Sequence, residues 1–308
     1  MAISLCRMSD LILKDFFAAI KEEMMPELPE VETLCRQLNA ILPGKKVLAV
    51  EILDPRLGKR EGEGLTGRKI EAVYRQGKCI RIEIGKRGRF SDMSPEKRRG
   101  KVTKLRMDKG FTAELHLRMT GRLLWQTDGT SLPPYTRLVM TFSAGKLLLI
   151  DPRRFATFHV RSQGAALPPL ANPLEGLSAR RLGEIAGMRR LPVKTFLMDQ
   201  RFIAGIGNIY ACEILHRACV DPRRPSGSLS ANEWRKVEEA AAVILPRAVA
   251  CRGTTVSDWR DLFGISGENQ KYIKVYSREG ETCYRCSGKI EYMKLGGRGT
   301  WFCPACQI

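Results

Sequence analysis

The sequence predicts an α+β protein with two domains, a β-sandwich followed by a helical domain that ends in a cysteine-rich hairpin. Between residues 47 and 150, short runs of alternating polar and apolar residues are separated by Gly, Pro and Asp, which is typical of strands. From residue 178 onwards, longer stretches show the apolar spacing of helices. Two Cys-x-x-Cys pairs lie close to the C-terminus. These observations favour a sandwich with helices segregated to the second half of the chain.

The charge of the chain indicates the kind of partner it binds. Its 308 residues include 52 Lys and Arg against 33 Asp and Glu, a net charge of +19. A protein this basic is usually drawn to a polyanion, most often nucleic acid, although an anionic membrane surface or a merely alkaline protein fits the same composition. No window approaches about eighteen uninterrupted apolar residues, which excludes a transmembrane helix. Hydrophobic residues make up 44%, which excludes wholesale disorder.

The elements of the first domain follow from these patterns. A short amphipathic helix is expected within residues 1–25, a segment that we interpret as a non-native or processed extension. A second helix is expected over 31–42, because Pro43-Gly44 is a good helix stop. Strands are expected at 47–52, 69–74, 79–84, 112–117, 137–142 and 146–150.

Two segments interrupt the predicted elements. Residues 86–109 form an insert with ten Lys or Arg against three acidic residues, a loop that either contacts DNA or has no binding role. Residues 162–173, rich in Gly, Pro and Ala, are predicted to link the domains. Helices are expected at 178–185, 193–197, 208–217 and 231–250, which gives domains at 26–161, 174–274 and 275–308.

The four C-terminal cysteines have the spacing of a zinc site. Cys283, Cys286, Cys303 and Cys306 form two Cys-x-x-Cys pairs. Four thiolates at this spacing suit tetrahedral Zn²⁺ and leave no open position for water, so a single structural Zn²⁺ is predicted. The alternative is a coincidental cluster of reduced cysteines.

A glycine-rich turn between two predicted helices is a candidate phosphate site. Gly205 and Gly207 allow the backbone to approach another group closely, and Asn208 then opens a helix. A helix N-terminus offers free N–H groups and the positive end of the helix dipole, which suit a phosphate. A simple helical hairpin with glycine caps explains the same pattern.

The segment from Met25 to Glu32 brings a family resemblance. Its sequence, MPELPEVE, resembles the N-terminus of the formamidopyrimidine-DNA glycosylase family, in which removal of the methionine exposes a catalytic proline. With leucine at position 28, this motif resembles the form found in the purine-lesion branch of that family. Four further segments and the cysteine cluster extend the resemblance from Pro26 to Ile308, apart from the basic insert. These segments are Gln76–Lys78, His116–Gly121, Asp151–Phe155 and Gly205–Glu213.

The resemblance implies a β-sandwich led by a catalytic helix, a helix–two-turn–helix domain, and a catalytic centre made of Pro26, Glu27, Lys78 and Glu30. A free α-amino group has a pKa of about 8, against about 10.4 for lysine, so much more of it is neutral and nucleophilic near pH 7. Pro26 would attack C1′ of an oxidised purine nucleotide, and Glu27 would act as general acid. Strand cleavage by β,δ-elimination would follow. Taken alone, the same residues are an ordinary helix start.

The resemblance also implies how the DNA is held. Met119, Arg153 and Phe155 would fill the gap that the extruded base leaves. His116, Asn208 and Arg298 would join Lys78 on the phosphates, although His116 between two leucines also fits a core position. The implied partner is double-stranded DNA with oxidised bases or abasic sites, bound by a monomer in the cytoplasm, at the nucleoid of a bacterium.

This chain departs from the family pattern at several positions. Arg118 and Ala156 stand where the family has glycine, and residues 264–276 match its lesion-capping loop only loosely. If the chain began at Met1, Pro26 would be an internal amide, so we expect translation to start at Met24 or Met25. The rival functions are a pyrimidine-lesion glycosylase and, if Pro26 is never exposed, a non-catalytic damaged-DNA binding protein.

Overall fold

The structure is a computed structural model that describes residues 25–58, 61–86, 109–162 and 172–308. The amphipathic helix predicted within residues 1–25, most of the basic insert and most of the predicted linker lie outside the described residues. Those predictions stay predictions.

The first helix, α1, runs over Leu28–Ile41 and begins earlier than predicted. Glu27 is its N-cap, and Glu27 and Glu30 form a reciprocal capping box in which each side chain accepts from the other residue's backbone amide. Pro29 lies in the first turn, where its missing N–H costs no hydrogen bond. The carboxylates of the predicted catalytic centre are therefore also the residues that begin this helix.

The strands form the predicted sandwich. Among the described residues, eight strands form two antiparallel four-stranded sheets: β1 Val47–Ile52, β2 Ile70–Gln76, β3 Cys79–Ile84, β4 Phe111–His116, β5 Arg122–Gln126, β6 Thr136–Phe142, β7 Gly145–Ile150 and β8 Thr157–Ser162. The sheets have the strand orders β1-β6-β7-β5 and β2-β3-β4-β8. Six of these strands were predicted, whereas β5 and β8 were not.

Helix α1 packs into two hydrophobic cores. Leu34 and Leu38 are fully buried in the sandwich core, which takes side chains from the inner faces of both sheets. Leu28, about two to three turns earlier, is fully buried in the core of the helical domain. The start of α1 therefore lies where the two domains meet.

The C-terminal half contains the predicted helices and hairpin. Helix α5 has a second capping box, in which Ser230 and Glu233 hydrogen-bond reciprocally. No helix in the described part of the chain combines the length and the apolar character needed to cross a membrane. The elements are α2 Ala179–Ala186, α3 Val193–Leu197, α4 Asn208–Ala218, α5 Ala231–Ala250, β9 Glu291–Leu295 and β10 Arg298–Phe302.

Candidate active site

The carboxylate of Glu27 is held by the N-terminus of a helix from the other domain. It accepts hydrogen bonds from the amides of Gly207 and Ile209, both at 2.9 Å, and from Tyr210 at 3.4 Å. These amides belong to the glycine turn and the first turn of α4. The helix end predicted to suit a phosphate therefore directs three of its amides to a carboxylate of the protein itself.

Glu30 is satisfied by a second set of donors. Its Oε1 accepts from the Tyr210 hydroxyl at 2.7 Å and from the Thr254 amide at 2.8 Å. Its Oε2 accepts from the Glu27 amide at 3.0 Å. Glu30 is 2% exposed, and burial raises its pKa. Glu30 thus contacts Glu27 through the backbone amide of Glu27, and its role in orienting the catalytic centre stays a prediction.

Three glycines make room for these carboxylates. A Cβ on Gly207 would lie 2.4 Å from Glu27 Cδ, and one on Gly253 would lie 2.7 Å from Glu30 Oε1. Gly205 has φ +100°, and a Cβ there would lie 2.8 Å from Leu28 Cβ. The close approach inferred from the glycine pair is confirmed, and its object is the start of α1.

Burial and nearby charges decide the protonation of Glu27. Burial raises the pKa of Glu27 to about 7, and Glu30 adds to this rise, while Lys78 and the amides of α4 oppose it. Lys78 is 7% exposed; burial lowers the pKa of its ammonium, as does Arg298, whereas Glu27 and Glu30 raise it. A carboxyl with a pKa near 7 exchanges a proton at neutral pH, which suits a general acid.

A pocket lies beside Pro26. It encloses about 380 Å³, including space open to solvent, and has one wall from the sandwich and one from the loop after α5. Pro26 is half-buried and borders this cavity, so it is not a core residue. The lining residues are Pro26, Glu30, Met119, Thr120, Gly121, Arg122, Asp258, Trp259 and Arg260.

The predicted wedge residues project from two loops of the sandwich. Phe155 is 42% exposed, and the guanidinium of Arg153 lies 4.6 Å from its ring centroid. Asp151 shapes this loop, because its carboxylate accepts from the amides of Arg153 at 3.2 Å and Ala156 at 2.7 Å. Met119 is half-buried at the pocket. An exposed aromatic ring under a cation is not a core residue, so the DNA-facing interpretation is favoured for Phe155.

His116 and Arg118 form the edge of this surface. Burial, with smaller contributions from Arg118 and Lys78, lowers the pKa of His116 to about 4, so the ring is neutral at pH 7. Its Nδ1 accepts from the Arg118 amide at 3.0 Å, so the ring proton lies on Nε2. Arg118 has φ +55°, a left-handed conformation that explains why the family resembled here has glycine at this position.

The four cysteines lie together and fit a metal. Their Sγ atoms all lie within 4.8 Å of one another, with Cys286 and Cys303 3.4 Å apart and Cys283 and Cys306 3.9 Å apart. Tetrahedral zinc with Zn–S bonds of about 2.3 Å separates its sulfurs by about 3.8 Å. His216 lies behind the cluster, with Nε2 3.3 Å from Cys283 Sγ. The predicted zinc ligands are thus brought together at the base of the β9–β10 hairpin.

Several residues of the site were missed by the sequence reasoning. Tyr210 and Thr254 hold Glu30 but come from separate helices and loops, so no spacing pattern connects them with it. Asp258, Trp259 and Arg260 line the pocket from a loop that follows α5. Tyr210 lies within the segment Gly205–Glu213, which carries part of the family resemblance. Its hydroxyl group was the one sequence feature that could have indicated a place in the site.

Comparison with known proteins agrees with this arrangement. Residues 25–93 and 91–158 match the formamidopyrimidine-DNA glycosylase N-terminal domain, residues 172–259 the H2TH domain of the same enzymes, and residues 280–308 the zinc finger found in FPG and IleRS. The formamidopyrimidine-DNA glycosylase of Pelotomaculum thermopropionicum is 36% identical over 92% of this chain and 99% of its own length. That of Moorella thermoacetica is 37% identical over 88% of this chain and 95% of its own length.

Solved structures agree as well. A complex of Lactococcus lactis Fpg with abasic-site DNA is 30% identical, covers 91% of this chain and 99% of its own, and superposes with a TM-score of 0.79. A variant of that enzyme in complex with Fapy-dG DNA is 29% identical over 92% of this chain, also with a TM-score of 0.79.

A sandwich, a helix–two-turn–helix domain and a zinc finger around buried glutamates define a DNA-repair glycosylase. The chain belongs to the formamidopyrimidine-DNA glycosylase family. The family resemblance of the motifs and the predicted enzyme class are thereby confirmed.

Replacing Gly207 by Ala should disable the site while leaving most of the fold intact. The new Cβ would lie 2.4 Å from Glu27 Cδ, so the carboxylate must leave the amides of α4. We expect base excision to fall by about tenfold or more, the factor that corresponds to about 1.4 kcal/mol of lost transition-state stabilisation. Single-turnover excision and circular dichroism check this.

The matched control is Gly129→Ala. Gly129 has open space around its Cβ position, so this variant should keep the parent rate. Equal rates for Gly207→Ala and Gly129→Ala would contradict the role given to the Glu27 cradle.

Proposed function

We propose that this protein excises oxidised purines, such as 8-oxoguanine and formamidopyrimidines, from double-stranded DNA and then cleaves the strand by β,δ-elimination. The observation that carries the proposal is the position of Pro26 beside a pocket, directly before a buried carboxyl of pKa about 7. The Lactococcus lactis relative has been solved with Fapy-dG DNA, which supports the substrate class.

The chemistry begins with a free secondary amine on Pro26. Its nitrogen lone pair forms a bond to C1′, the N-glycosidic bond breaks, and the base leaves with the electrons of the broken bond and takes up the proton that the attacking amine gives up. Glu27 donates a proton to the opening sugar ring oxygen, and the proline nitrogen becomes a cationic iminium. The iminium withdraws electrons from the sugar, so a proton is lost from C2′ and the 3′ phosphate leaves, followed by the 5′ phosphate.

This chemistry requires that Pro26 be the first residue of the active protein. In the printed sequence its nitrogen is bonded to the Met25 carbonyl and has no lone pair available for attack. We propose that synthesis starts at Met24 or Met25 and that removal of methionine exposes the amine. Residues 1–25 would then be no part of the active enzyme.

The DNA would lie across the face that carries the proposed phosphate contacts. Lys78 is buried close to Glu27, and Arg298, whose charge lowers the pKa of Lys78, comes from the zinc-finger hairpin. Met119, Arg153 and Phe155 would fill the gap in the duplex, while His116 and Asn208 would join Lys78 and Arg298 on the backbone. We further propose that the protein acts as a monomer at the nucleoid in a bacterial cytoplasm.

A second substrate class is favoured by one specific observation. A complex of Lactococcus lactis Fpg with DNA containing an oxidised pyrimidine is 30% identical to this chain, with a TM-score of 0.78. Excision of oxidised pyrimidines is therefore the second candidate activity of the same pocket. Comparing excision from 8-oxoguanine and thymine-glycol duplexes separates the two candidates.

Borohydride trapping tests the proposed nucleophile. A protein that begins at Pro26 should form a stable covalent adduct with an 8-oxoguanine duplex, because borohydride reduces the iminium to an amine. The 308-residue chain, whose Pro26 nitrogen is an amide, should form none, and Pro26→Gly should lose most of the adduct. Denaturing electrophoresis detects the product. No adduct from the Pro26 form would leave a non-catalytic damaged-DNA binding protein.

The rate of excision should depend on pH through Glu27. Its pKa is raised to about 7, so the acid form is present below that pH and is lost above it. The free proline amine has a pKa of about 8, so at lower pH more of it is protonated and cannot act as a nucleophile. Single-turnover excision should therefore peak near neutrality, and Glu27→Gln should be slow and lack the alkaline limb. Glu184→Gln, at an exposed position, should keep the parent profile; a parent rate independent of pH would contradict the assignment.

The zinc is proposed to be single and structural. The four cysteines close the base of the hairpin that carries Arg298, so loss of the metal should release that contact. Chelation should abolish DNA binding, measured by mobility shift, while circular dichroism shows that the sandwich remains folded. One zinc per chain is expected by metal analysis. Unchanged DNA affinity after verified zinc loss would refute this role.

A further inference from the structure

The wall of the pocket opposite the sandwich is made by a loop, not by a helix or strand. Asp258, Trp259 and Arg260 lie in the segment between α5 and the zinc finger. A loop that borders a ligand pocket has to be ordered when the ligand binds, at a cost in conformational entropy. This loop is already held in place, and several of the groups that hold it belong to the other domain.

Asp261 and Gln37 form the centre of the attachment. The Gln37 Nε2 donates to Asp261 Oδ2 at 2.9 Å, and Gln37 Oε1 accepts from the Leu262 amide at 3.0 Å. One glutamine of α1 thereby binds both a side chain and a backbone amide of the loop. Asp261 is 1% exposed, and its Oδ1 accepts from the amides of Phe263 and Ile265. The carboxylate thus joins the turn of the loop to α1.

The sandwich holds the same loop by packing and by its backbone. Leu262 is fully buried, and with Trp259 it belongs to the hydrophobic core of the sandwich rather than to that of the helical domain. The amide of Trp125 in β5 donates to the Leu262 carbonyl at 2.9 Å. The indole Nε1 of Trp259 donates to the Arg252 carbonyl at 2.9 Å. These contacts therefore fix the position of the pocket wall relative to the sandwich, which also carries Met119.

We propose that Gln37 and Asp261 are a positioning pair that holds Asp258–Arg260 as the wall contacting the extruded base, and that this pair sets how well lesion bases are excised. The inference rests on the proposed function and names a determinant of its specificity. Neither residue lines the pocket. Both act through the loop between them and the base.

An abasic site provides the test, because it has no base for the wall to contact. Gln37→Ala and Asp261→Ala, made in protein that begins at Pro26, should lower kcat/KM for 8-oxoguanine excision by about tenfold, equivalent to about 1.4 kcal/mol. Cleavage at a preformed abasic site should stay within about twofold of the parent rate. A pair that merely stabilised the fold would lower both activities together.

A charge exchange keeps the test independent of stability. Gln37→Glu alone places two carboxylates face to face and should lower excision. Adding Asp261→Asn supplies an amide that donates to the new glutamate, while its oxygen still accepts from Phe263 and Ile265, so the double variant should regain excision. Asn232→Ala is the matched control, since Asn232 is an exposed amide side chain at the N-terminal end of α5, the end of that helix farther from the loop.

The outcomes separate the two levels of the proposal. Selective loss of base excision with rescue in the double variant supports the positioning pair. Equal loss of both activities, no loss, or no rescue overturns it while the proposed function stands. A parent protein that cleaves abasic sites but excises no oxidised purine overturns the proposed substrate and, with it, the inference.

Discussion

The hydrogen bonds between the Glu27 carboxylate and the first turn of α4 are the interaction on which the catalytic centre depends. Glu27 caps α1, yet its carboxylate is bound by amides that open a helix of the other domain. Hydrogen bonds to a charged acceptor contribute about 1.5–3 kcal/mol each, and they are lost if either helix moves. The same carboxylate therefore begins one helix, occupies the N-terminus of another and joins the two domains beside the proposed catalytic proline.

Opposing effects on the charged form of Glu27 allow this carboxyl group to be buried. Burial favours its neutral form, whereas the amides of α4 and the ammonium of Lys78 favour its charged form. Glu30 lies next to it and accepts hydrogen bonds in turn from the Tyr210 hydroxyl and the Thr254 amide. The balance leaves Glu27 near half protonation at pH 7. In a fully paired salt bridge Glu27 would be deprotonated at this pH, and in an apolar pocket it would be protonated.

Each domain contributes buried side chains to the hydrophobic core of the other. Leu28 of α1 packs in the core of the helical domain, while Trp259 and Leu262 of the C-terminal half pack in the core of the sandwich. Because each domain places side chains in the hydrophobic core of the other, core packing and not a hinge sets the relative position of the domains. The pocket beside Pro26 then has walls from both domains at a fixed separation. The net charge of +19 acts on a larger scale and favours the approach of a polyanion such as DNA.

Local patterns in the sequence predicted the α+β class, six of the eight sandwich strands, the helices after residue 178, the cluster of four cysteines and the motifs of the family. These depend on local periodicity, on cap and turn residues, and on cysteine spacing, all of which are present in short windows. Only the tertiary structure decided that the amides of α4 bind Glu27, that Tyr210 and Thr254 hold Glu30, and that Asp261 meets Gln37. Those partners are separated by 180 to 225 positions along the chain. The physical reason is that a hydrogen bond depends on distance in space, which local sequence patterns do not encode.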